Sequence, residues 1–259
     1  MNGLTLRLAG ILGLAVLVIG VVLFIPPIPQ DPAYHGFVDQ RTFYGIPNFW
    51  NVVSNLPFVI AGLLGLLLLT SRQPVTGGLP AQWPAYLVFF AGVFLTGFGS
   101  AYYHLDPTNE TLVWDRLPMT LAFMAFFSMI VGEYLSPGVG RALLWPLLLV
   151  GVLSIVYWHI TESAGHGDLR PYALVQFLPV VLIPMILLMF RSRLNGSIFL
   201  WAMIAAYVIS KITEYYDAGI YAAIGTLSGH SIKHIVAAVG TLFIYLALRR
   251  RRQVGNDSR

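Results

Sequence analysis

The sequence predicts an all-α polytopic membrane protein, with seven core transmembrane helices in one bundle and one N-terminal anchor helix. Of the 259 residues, 57% are hydrophobic and only 10% are charged, whereas a soluble domain carries about 25% charged residues. Eight apolar stretches have the roughly 20 residues that a helix needs to cross a bilayer core of about 30 Å. Because backbone groups in lipid must be satisfied within the segment, and these runs are too continuous for barrel strands, all eight are predicted to be helices.

The predicted spans follow one another with short connections. They cover residues 6–25, 48–70, 84–104, 112–134, 141–161, 172–190, 197–216 and 228–248. The positions of the prolines agree with these limits, since Pro26, Pro27 and Pro29 end the first span and Pro80 and Pro84 precede the third. The prolines and the apolar runs therefore give the same division of the chain.

The first span resembles a signal peptide, but its apolar run is long and no small-x-small cleavage site follows it. A retained anchor helix is preferred over a cleaved signal. The chain is accordingly divided into an N-terminal anchor at 1–30, a seven-helix membrane domain at 31–248 and a basic cytoplasmic tail at 249–259.

Composition also excludes several function classes. The chain has no cysteine, which excludes disulfides, thiolate nucleophiles and cysteine-based metal sites, so any metal must be held by histidine and carboxylate groups. The net charge of +4 does not indicate a nucleic-acid partner, because the four consecutive arginines at 249–252 account for the whole excess. A basic tail after a span usually marks orientation.

Arginine distribution predicts which way the spans face. Alternating the spans from a cytoplasmic N-terminus leaves only Arg41 and Arg170 on the outer side. The cytoplasmic side receives Arg7, Arg72, Arg141, Arg191, Arg193, the run at 249–252 and Arg259. The positive-inside rule therefore predicts cytoplasmic N- and C-termini.

Two histidines stand four residues apart at the start of the last span, in Ser-Gly-His230-Ser-Ile-Lys-His234. Residues four apart share one helix face, so both imidazoles can point at one ion. Ser100 and His104 have the same spacing at the end of the third span, and Asp115 begins the fourth. In the predicted topology all five residues lie at similar depth near the outer face, so the sequence predicts that they converge.

Three histidines with an open fourth position are typical of a catalytic zinc site, where the metal lowers the pKa of a bound water to about 7. A nearby carboxylate could take and return a proton, and a hydroxyl could donate to a developing oxyanion. Asp115 and Ser100 fit these two roles.

The same residues carry a resemblance to a known family. Ser100-x3-His104, an aspartate eleven residues later in Asp115-x-Leu-Pro-Met, and His230-x3-His234 resemble the alkaline ceramidase family of the CREST superfamily of membrane hydrolases, as a non-animal-type member. The stretch Asn-Phe-Trp-Asn-Val-Val-Ser-Asn-Leu at 48–56 is similar to the family's first core helix. The resemblance covers roughly residues 48–248.

The resemblance implies that His104, His230 and His234 ligate Zn²⁺, that Asp115 transfers protons and that Ser100 stabilises the intermediate. It also implies hydrolysis of the amide of a ceramide-type lipid, entering from the bilayer, to a sphingoid base and a fatty acid. The chain departs from the animal enzymes in two ways. Their calcium-binding acidic segment is only faintly echoed by Asp39-Gln-Arg41 and Asn48, so calcium is doubtful, and Arg116 stands where they carry glutamate.

Two other classes stay open at this point. One is a receptor or structural protein of the same superfamily, in which the metal braces three helices without hydrolysis. The other is a transporter with a proton relay through Lys211, Glu214 and the histidines, although no inverted-repeat signal supports it. Pairing between Lys211 and Glu214 is preferred over a relay, and Asp168 and Arg170 are expected to form a local ion pair.

Overall fold

A computed structural model describes residues 3–71 and 75–254, and within these ranges the chain forms α-helices and no named β-strand. The helices are α1 Gly3–Phe24, α2 Phe49–Val53, α3 Leu56–Thr70, α4 Trp83–Leu105, α5 Asn109–Tyr134, α6 Pro137–Ser163, α7 Arg170–Met189, α8 Ile198–Tyr215, α9 Asp217–Ile224 and α10 Gly229–Arg250. Two short 3₁₀ helices, Pro32–His35 and Pro80–Gln82, precede α2 and α4.

Eight segments of the described chain are long and apolar enough to cross a membrane. Each overlaps one predicted span, so the predicted all-α polytopic membrane fold is confirmed. Two details were not anticipated: the second span is divided into α2 and α3, and the short helix α9 lies between the last two spans. Arg72 and Arg259, used in the orientation argument, lie outside the described residues, and the side on which the termini lie stays a prediction.

Helices α4 and α5 form the centre of the bundle, and small residues let them approach closely. A Cβ added at Gly92 would lie 2.8 Å from the backbone nitrogen of Ala122, and one added at Gly99 would lie 2.0 Å from the carbonyl oxygen of Trp114. Such close approach of backbones is typical of membrane helix packing, which has no hydrophobic driving force between helices. The other spans pack around this pair, with α3 on α4, α6 and α7 on α5, and α10 between α3 and α8.

A buried ion pair closes the end of the bundle where α5 and α10 terminate. Glu133 and Arg251 are both almost fully buried, and the Arg251 Nη1 and Nη2 atoms donate to the Glu133 carboxylate at 2.8 and 2.9 Å. The Tyr86 hydroxyl donates to the same carboxylate at 2.8 Å. The arginine run at 249–252 is therefore partly structural, because Arg249 and Arg250 end α10 and Arg251 joins it to α5.

The anchor helix α1 packs on α7 and is otherwise largely exposed. Its C-terminal end is held by Arg170, which donates to the carbonyl oxygens of Leu23 and Ile25 and forms the expected ion pair with Asp168. The hydrogen bonds from Arg170 lower the pKa of Asp168 to about 2. Asp168 is therefore ionised at any physiological pH. The ion pair links the end of α1 to the α6–α7 connection.

We expect Glu133→Gln to lower the free energy of unfolding by about 3–5 kcal/mol, because it leaves the Arg251 charge buried without a partner. The measurement is denaturant unfolding in detergent micelles. The double variant Glu133→Gln/Arg251→Met removes both charges and should be more stable than the single variant. A single variant as stable as the wild type would contradict the prediction.

Candidate functional site

The three predicted histidines meet in the structure. His104 lies in the last turn of α4, and His230 and His234 lie in the first two turns of α10. Their ring centroids are 4.9 Å (104 to 230), 5.0 Å (104 to 234) and 4.9 Å (230 to 234) apart, and all three side chains are buried. One ligand atom from each lies within 4.8 Å of the others, so this cluster could hold a metal ion.

The start of α10 is fixed from several directions. The Ser228 side chain caps the helix by accepting from the Ser231 backbone N–H, and Asp217 Oδ1 accepts from the His230 backbone N–H at 2.7 Å. Both bonds satisfy N–H groups that have no partner within the helix. At Gly229 an added Cβ would lie 2.1 Å from the carbonyl oxygen of Thr213, so α8 approaches α10 closely here. The two histidines thus begin a helix whose first turn cannot shift.

The break between α2 and α3 orients His234. The Ser54 hydroxyl, at this break, donates to the carbonyl oxygen of Asn51 at 3.2 Å and lies 2.9 Å from His234 Nδ1. A hydroxyl that donates its own proton to Asn51 can accept the Nδ1 proton of His234. This assignment leaves Nε2 of His234 with its lone pair free, as a metal ligand requires.

A hydrogen bond to its backbone carbonyl oxygen holds His104, while its ring has a nitrogen atom without a hydrogen-bond partner in the described chain. The Asn48 side-chain amide donates to the His104 carbonyl oxygen at 2.9 Å, and Asn48 adopts the left-handed conformation (φ 48°) that asparagine tolerates better than most residues. His104 Nε2 lies 3.4 Å from His230 Nε2, and His104 Nδ1 is buried without a partner in the described chain.

The donor set fits a divalent metal such as zinc. His104 Nδ1 is buried without a partner in the described chain, and the Nε2 atoms of His104 and His230 face each other at 3.4 Å, so nitrogen lone pairs are directed toward a common point where a metal ion could bind. Three histidines are one of the ligand sets of catalytic zinc, and imidazole ligands also suit copper, iron and nickel.

Ser100 and Asp115, the other two predicted site residues, lie beside the cluster. Both are buried, and the Ser100 side chain lies beside the Asp115 carboxyl. Both line, together with His234, a cavity of about 510 Å³, within the usual range of about 300–1,000 Å³ for ligand sites. The structure therefore brings Ser100, Asp115 and His234 to one cavity, and it places His104 and His230 beside His234.

The rest of the cavity is mostly apolar and runs along the helices. Phe89 lies eleven residues before Ser100 on α4 and Phe126 eleven residues after Asp115 on α5, which corresponds to about 16 Å at 1.5 Å per residue. Lys211, Glu214 and Lys233 add charges near the polar end, where Glu214 accepts hydrogen bonds from both lysines. A long apolar chamber with one polar end suits an amphiphilic molecule.

Asp39 lies in the segment whose counterpart binds calcium in the animal enzymes. Its carboxylate accepts from Arg41 through the backbone N–H, Nε and Nη2. These hydrogen bonds lower the pKa of Asp39. An arginine two residues away therefore occupies both carboxylate oxygens.

Ser54, Asn48 and Asp217 support the histidines but were not predicted as site residues. Ser54 and Asn48 belong to the stretch at 48–56 that carried the family resemblance, and that resemblance was the available signal. Asp217 had no signal of its own, because only the fold of α9 brings it to the start of α10.

Fold and site together define a polytopic membrane protein with a buried candidate metal centre at the polar end of an apolar cavity. The ceramidase family model matches residues 41–215, which is more than half of the chain, and the chain belongs to this family. The match includes Ser100, His104 and Asp115, while His230 and His234 lie beyond it. No curated protein matches the chain in sequence.

Membership in the ceramidase family implies an amidohydrolase that acts on ceramide-type lipids in the membrane. The resemblance inferred from the motifs is thereby confirmed. The position of the histidine cluster, in a bundle of membrane-spanning helices and at the end of an apolar cavity, agrees with a lipid substrate.

We expect Gly99→Ala to disturb the site without changing any polar group. The added Cβ would meet the Trp114 carbonyl oxygen at 2.0 Å, and because this atom is backbone, α4 must move from α5 and separate Ser100 from Asp115. Overpacking of this kind costs about 1–3 kcal/mol, measurable as a lower unfolding midpoint in detergent. Gly13→Ala on α1, where an added Cβ meets nothing within 4 Å, is the control and should unfold like the wild type; an equal midpoint for Gly99→Ala would refute the close-contact argument.

Proposed function

We propose that this protein is a zinc-dependent intramembrane amidohydrolase that cleaves the amide bond of ceramide-like lipids to a sphingoid base and a fatty acid. The observation that carries the proposal is the cluster of His104, His230 and His234, of which His234 lines the apolar cavity together with Ser100 and Asp115. Family membership supports the reaction class.

In this proposal the three histidines hold the metal, which supplies Lewis-acid chemistry when bound. Ser54 keeps His234 in the tautomer that leaves Nε2 unprotonated, and Asn48 fixes the end of α4 that carries His104. Asp217 holds the first turn of α10. The protein thus prepares the ligand set before the metal binds, which is how supporting hydrogen bonds raise metal affinity.

Asp115 accepts a proton from the attacking water and returns it to the amine that leaves. Ser100, which lies beside Asp115, donates its hydroxyl proton to the substrate's carbonyl oxygen as that oxygen gains negative charge. Both residues are buried in the bundle, where few water molecules compete for these hydrogen bonds.

The apolar part of the cavity binds the acyl chain, and the gap between α7 and α8 is the proposed entrance from the bilayer. Helix α7 packs on α1, α5 and α6, whereas α8 packs on α9 and α10, and the two make few contacts with each other. Residues of both helices line the cavity, among them Phe177 and Met203, and the Gln176 amide reaches the Tyr207 hydroxyl across the gap at 3.5 Å. A lipid can therefore enter sideways without leaving the hydrocarbon region.

The decisive variant is Asp115→Asn. It removes the proton acceptor while preserving shape, so we expect kcat for release of fatty acid from ceramide to fall at least about 100-fold, with stoichiometric zinc retained. The measurements are mass spectrometry of released fatty acid and metal analysis of the purified protein. Asp106→Asn, an exposed carboxylate in the α4–α5 connection, should keep wild-type activity.

The same experiment separates catalysis from a purely structural role of the metal. A receptor or a metal-braced structural protein would tolerate Asp115→Asn and show no zinc-dependent release of fatty acid. Purified wild-type protein without stoichiometric zinc, or full activity in His230→Ala, would contradict the proposed metal centre.

Ser54→Ala tests the support of His234. Without the hydroxyl, the Nδ1 proton of His234 loses its acceptor, and we expect zinc affinity to fall about 10–100-fold, measured by competition with a chelator of known affinity. Ser154→Ala is the matched control, because Ser154 is a buried serine that bonds only the Gly151 carbonyl oxygen of its own helix. Equal zinc affinity in the two variants would remove Ser54 from the proposal.

A further inference from the structure

Three charged side chains form a cluster that lines the cavity. Lys211 and Glu214 lie on α8, and Lys233 lies on α10. The Lys211 Nζ atom donates to Oε2 of Glu214 at 2.7 Å, and Lys233 Nζ donates to Oε1. All three residues line the same cavity as Ser100 and Asp115. Ionisable residues inside a membrane bundle are costly and mark a functional site by default, so this Lys–Glu–Lys cluster needs a role.

The Lys–Glu–Lys cluster lies at the level of the histidines. Lys233 directly precedes His234 on α10 and lies three residues after His230, a step of about 4.5 Å along the helix. Its partner Glu214 lies three residues before Asp217, the residue that accepts from the His230 backbone N–H. The two contacts join the same two stretches of chain, so the cluster enters the cavity within one helical turn of the histidines.

The cluster has hydrogen-bonding groups that the described chain does not use. An ammonium group has three N–H donors, and neither lysine donates to any acceptor other than Glu214 in residues 3–71 and 75–254. Each Glu214 oxygen receives one lysine and can accept a further bond. The side chains are 16% (Lys233), 25% (Glu214) and 40% (Lys211) exposed, so a molecule in the cavity can reach them. Donors and acceptors therefore lie side by side there.

The charged residues that line the cavity are balanced in sign. Among the described lining residues three are acidic and three are basic, namely Asp31, Asp115, Glu214, Arg116, Lys211 and Lys233. Since this lining has no excess of one sign that would attract an ion, a neutral headgroup suits it. A hydroxyl group is neutral and both donates and accepts hydrogen bonds, which matches the adjacent donors and acceptors of the cluster.

We propose that the Lys–Glu–Lys cluster binds hydroxyl groups on the amine-derived part of the substrate and so selects lipid amides whose amine is hydroxylated. A bound hydroxyl donates to Glu214 and accepts from Lys211 or Lys233. Ceramide-type lipids carry a hydroxyl on each of the two carbons that flank the carbon bearing the amide nitrogen. This inference rests on the proposed function and assigns the residues that distinguish a sphingoid amide from the amide of a plain alkyl amine.

The test uses three lipids that differ only in hydroxyl groups. N-oleoylsphinganine is compared with two analogues, one without the primary and one without the secondary hydroxyl, so the amide and both chains are the same. Full-length protein in lipid nanodiscs is assayed for kcat/KM. We expect kcat/KM to be at least about tenfold lower for at least one analogue, the effect of one hydrogen bond to a charged group. The ratio of N-oleoylsphinganine to the poorer analogue is the hydroxyl preference.

A binding measurement without turnover accompanies this assay. Metal-stripped protein is incubated in detergent with equal amounts of N-oleoylsphinganine and the poorer analogue and is then purified again. Mass spectrometry of the retained lipids gives the ratio in which the two are bound. We expect N-oleoylsphinganine to be retained in excess, because the cluster binds hydroxyls whether or not the metal is present.

Variants assign the hydroxyl preference to the cluster. Glu214→Gln keeps the shape and removes the charge of the acceptor, so it should lower the preference several-fold. If Glu214→Gln does not fold, Lys211→Met replaces the most exposed member, leaves the contact between Glu214 and Lys233 in place and should also lower the preference. Arg249→Met removes an exposed cation fifteen residues after His234 on α10 and should keep the wild-type preference.

A cluster that only braced α8 against α10 would give a different result. Its loss would lower kcat/KM for all three lipids by the same factor, and the unchanged preference would overturn the proposal. Equal kcat/KM for the three lipids in the wild type would overturn it as well, while leaving the proposed amidohydrolase function intact. Preferential retention of N-oleoylsphinganine without hydrolysis of any amide would support the hydroxyl site and reject the proposed function.

Discussion

The interaction on which the structure depends is the contact of three buried imidazoles from two helices that are far apart in sequence. Ring centroids about 5 Å apart, with two Nε2 atoms at 3.4 Å, leave little tolerance in how α4 and α10 approach each other. Inside a bundle that water does not enter freely, each unsatisfied nitrogen is costly. The surrounding polar groups are therefore arranged to fix these rings.

Most of these polar groups belong to the divided second span. At the break the Ser54 and Asn55 side chains both donate to the carbonyl oxygen of Asn51, and the Ser54 hydroxyl also contacts His234. Asn51 joins three elements, since it accepts from Ser231 at the start of α10 and donates to the carbonyl oxygen of Asp39. The supporting groups of the histidine cluster thus come largely from nine residues of one short segment.

Charged residues are few in this chain. The buried ones differ in whether they have an oppositely charged partner. The Glu133–Arg251 pair is compensated and closes one end of the bundle, and Lys211 and Lys233 share Glu214. No carboxylate of the described residues lies within 4.0 Å of Arg116, which lines the cavity next to Asp115. Arg116 Nη1 and His104 Nδ1 are two of six buried side-chain atoms without a hydrogen-bond partner in the described residues, and Arg251 Nε, in the ion pair itself, is another.

The sequence determined the all-helical membrane class, the positions of eight spans and the five residues of the candidate site. These features can be read from the sequence because hydropathy and helical spacing are local properties. The alternating direction of the spans then places the five candidate site residues at a common depth. The tertiary structure decided what depends on lateral packing: that Ser54 reaches His234, that Arg251 is buried against Glu133, and that Arg116 lies against aromatic rings. No local pattern specifies which helices become neighbours, because in a bilayer that choice depends on small residues and polar contacts between distant segments.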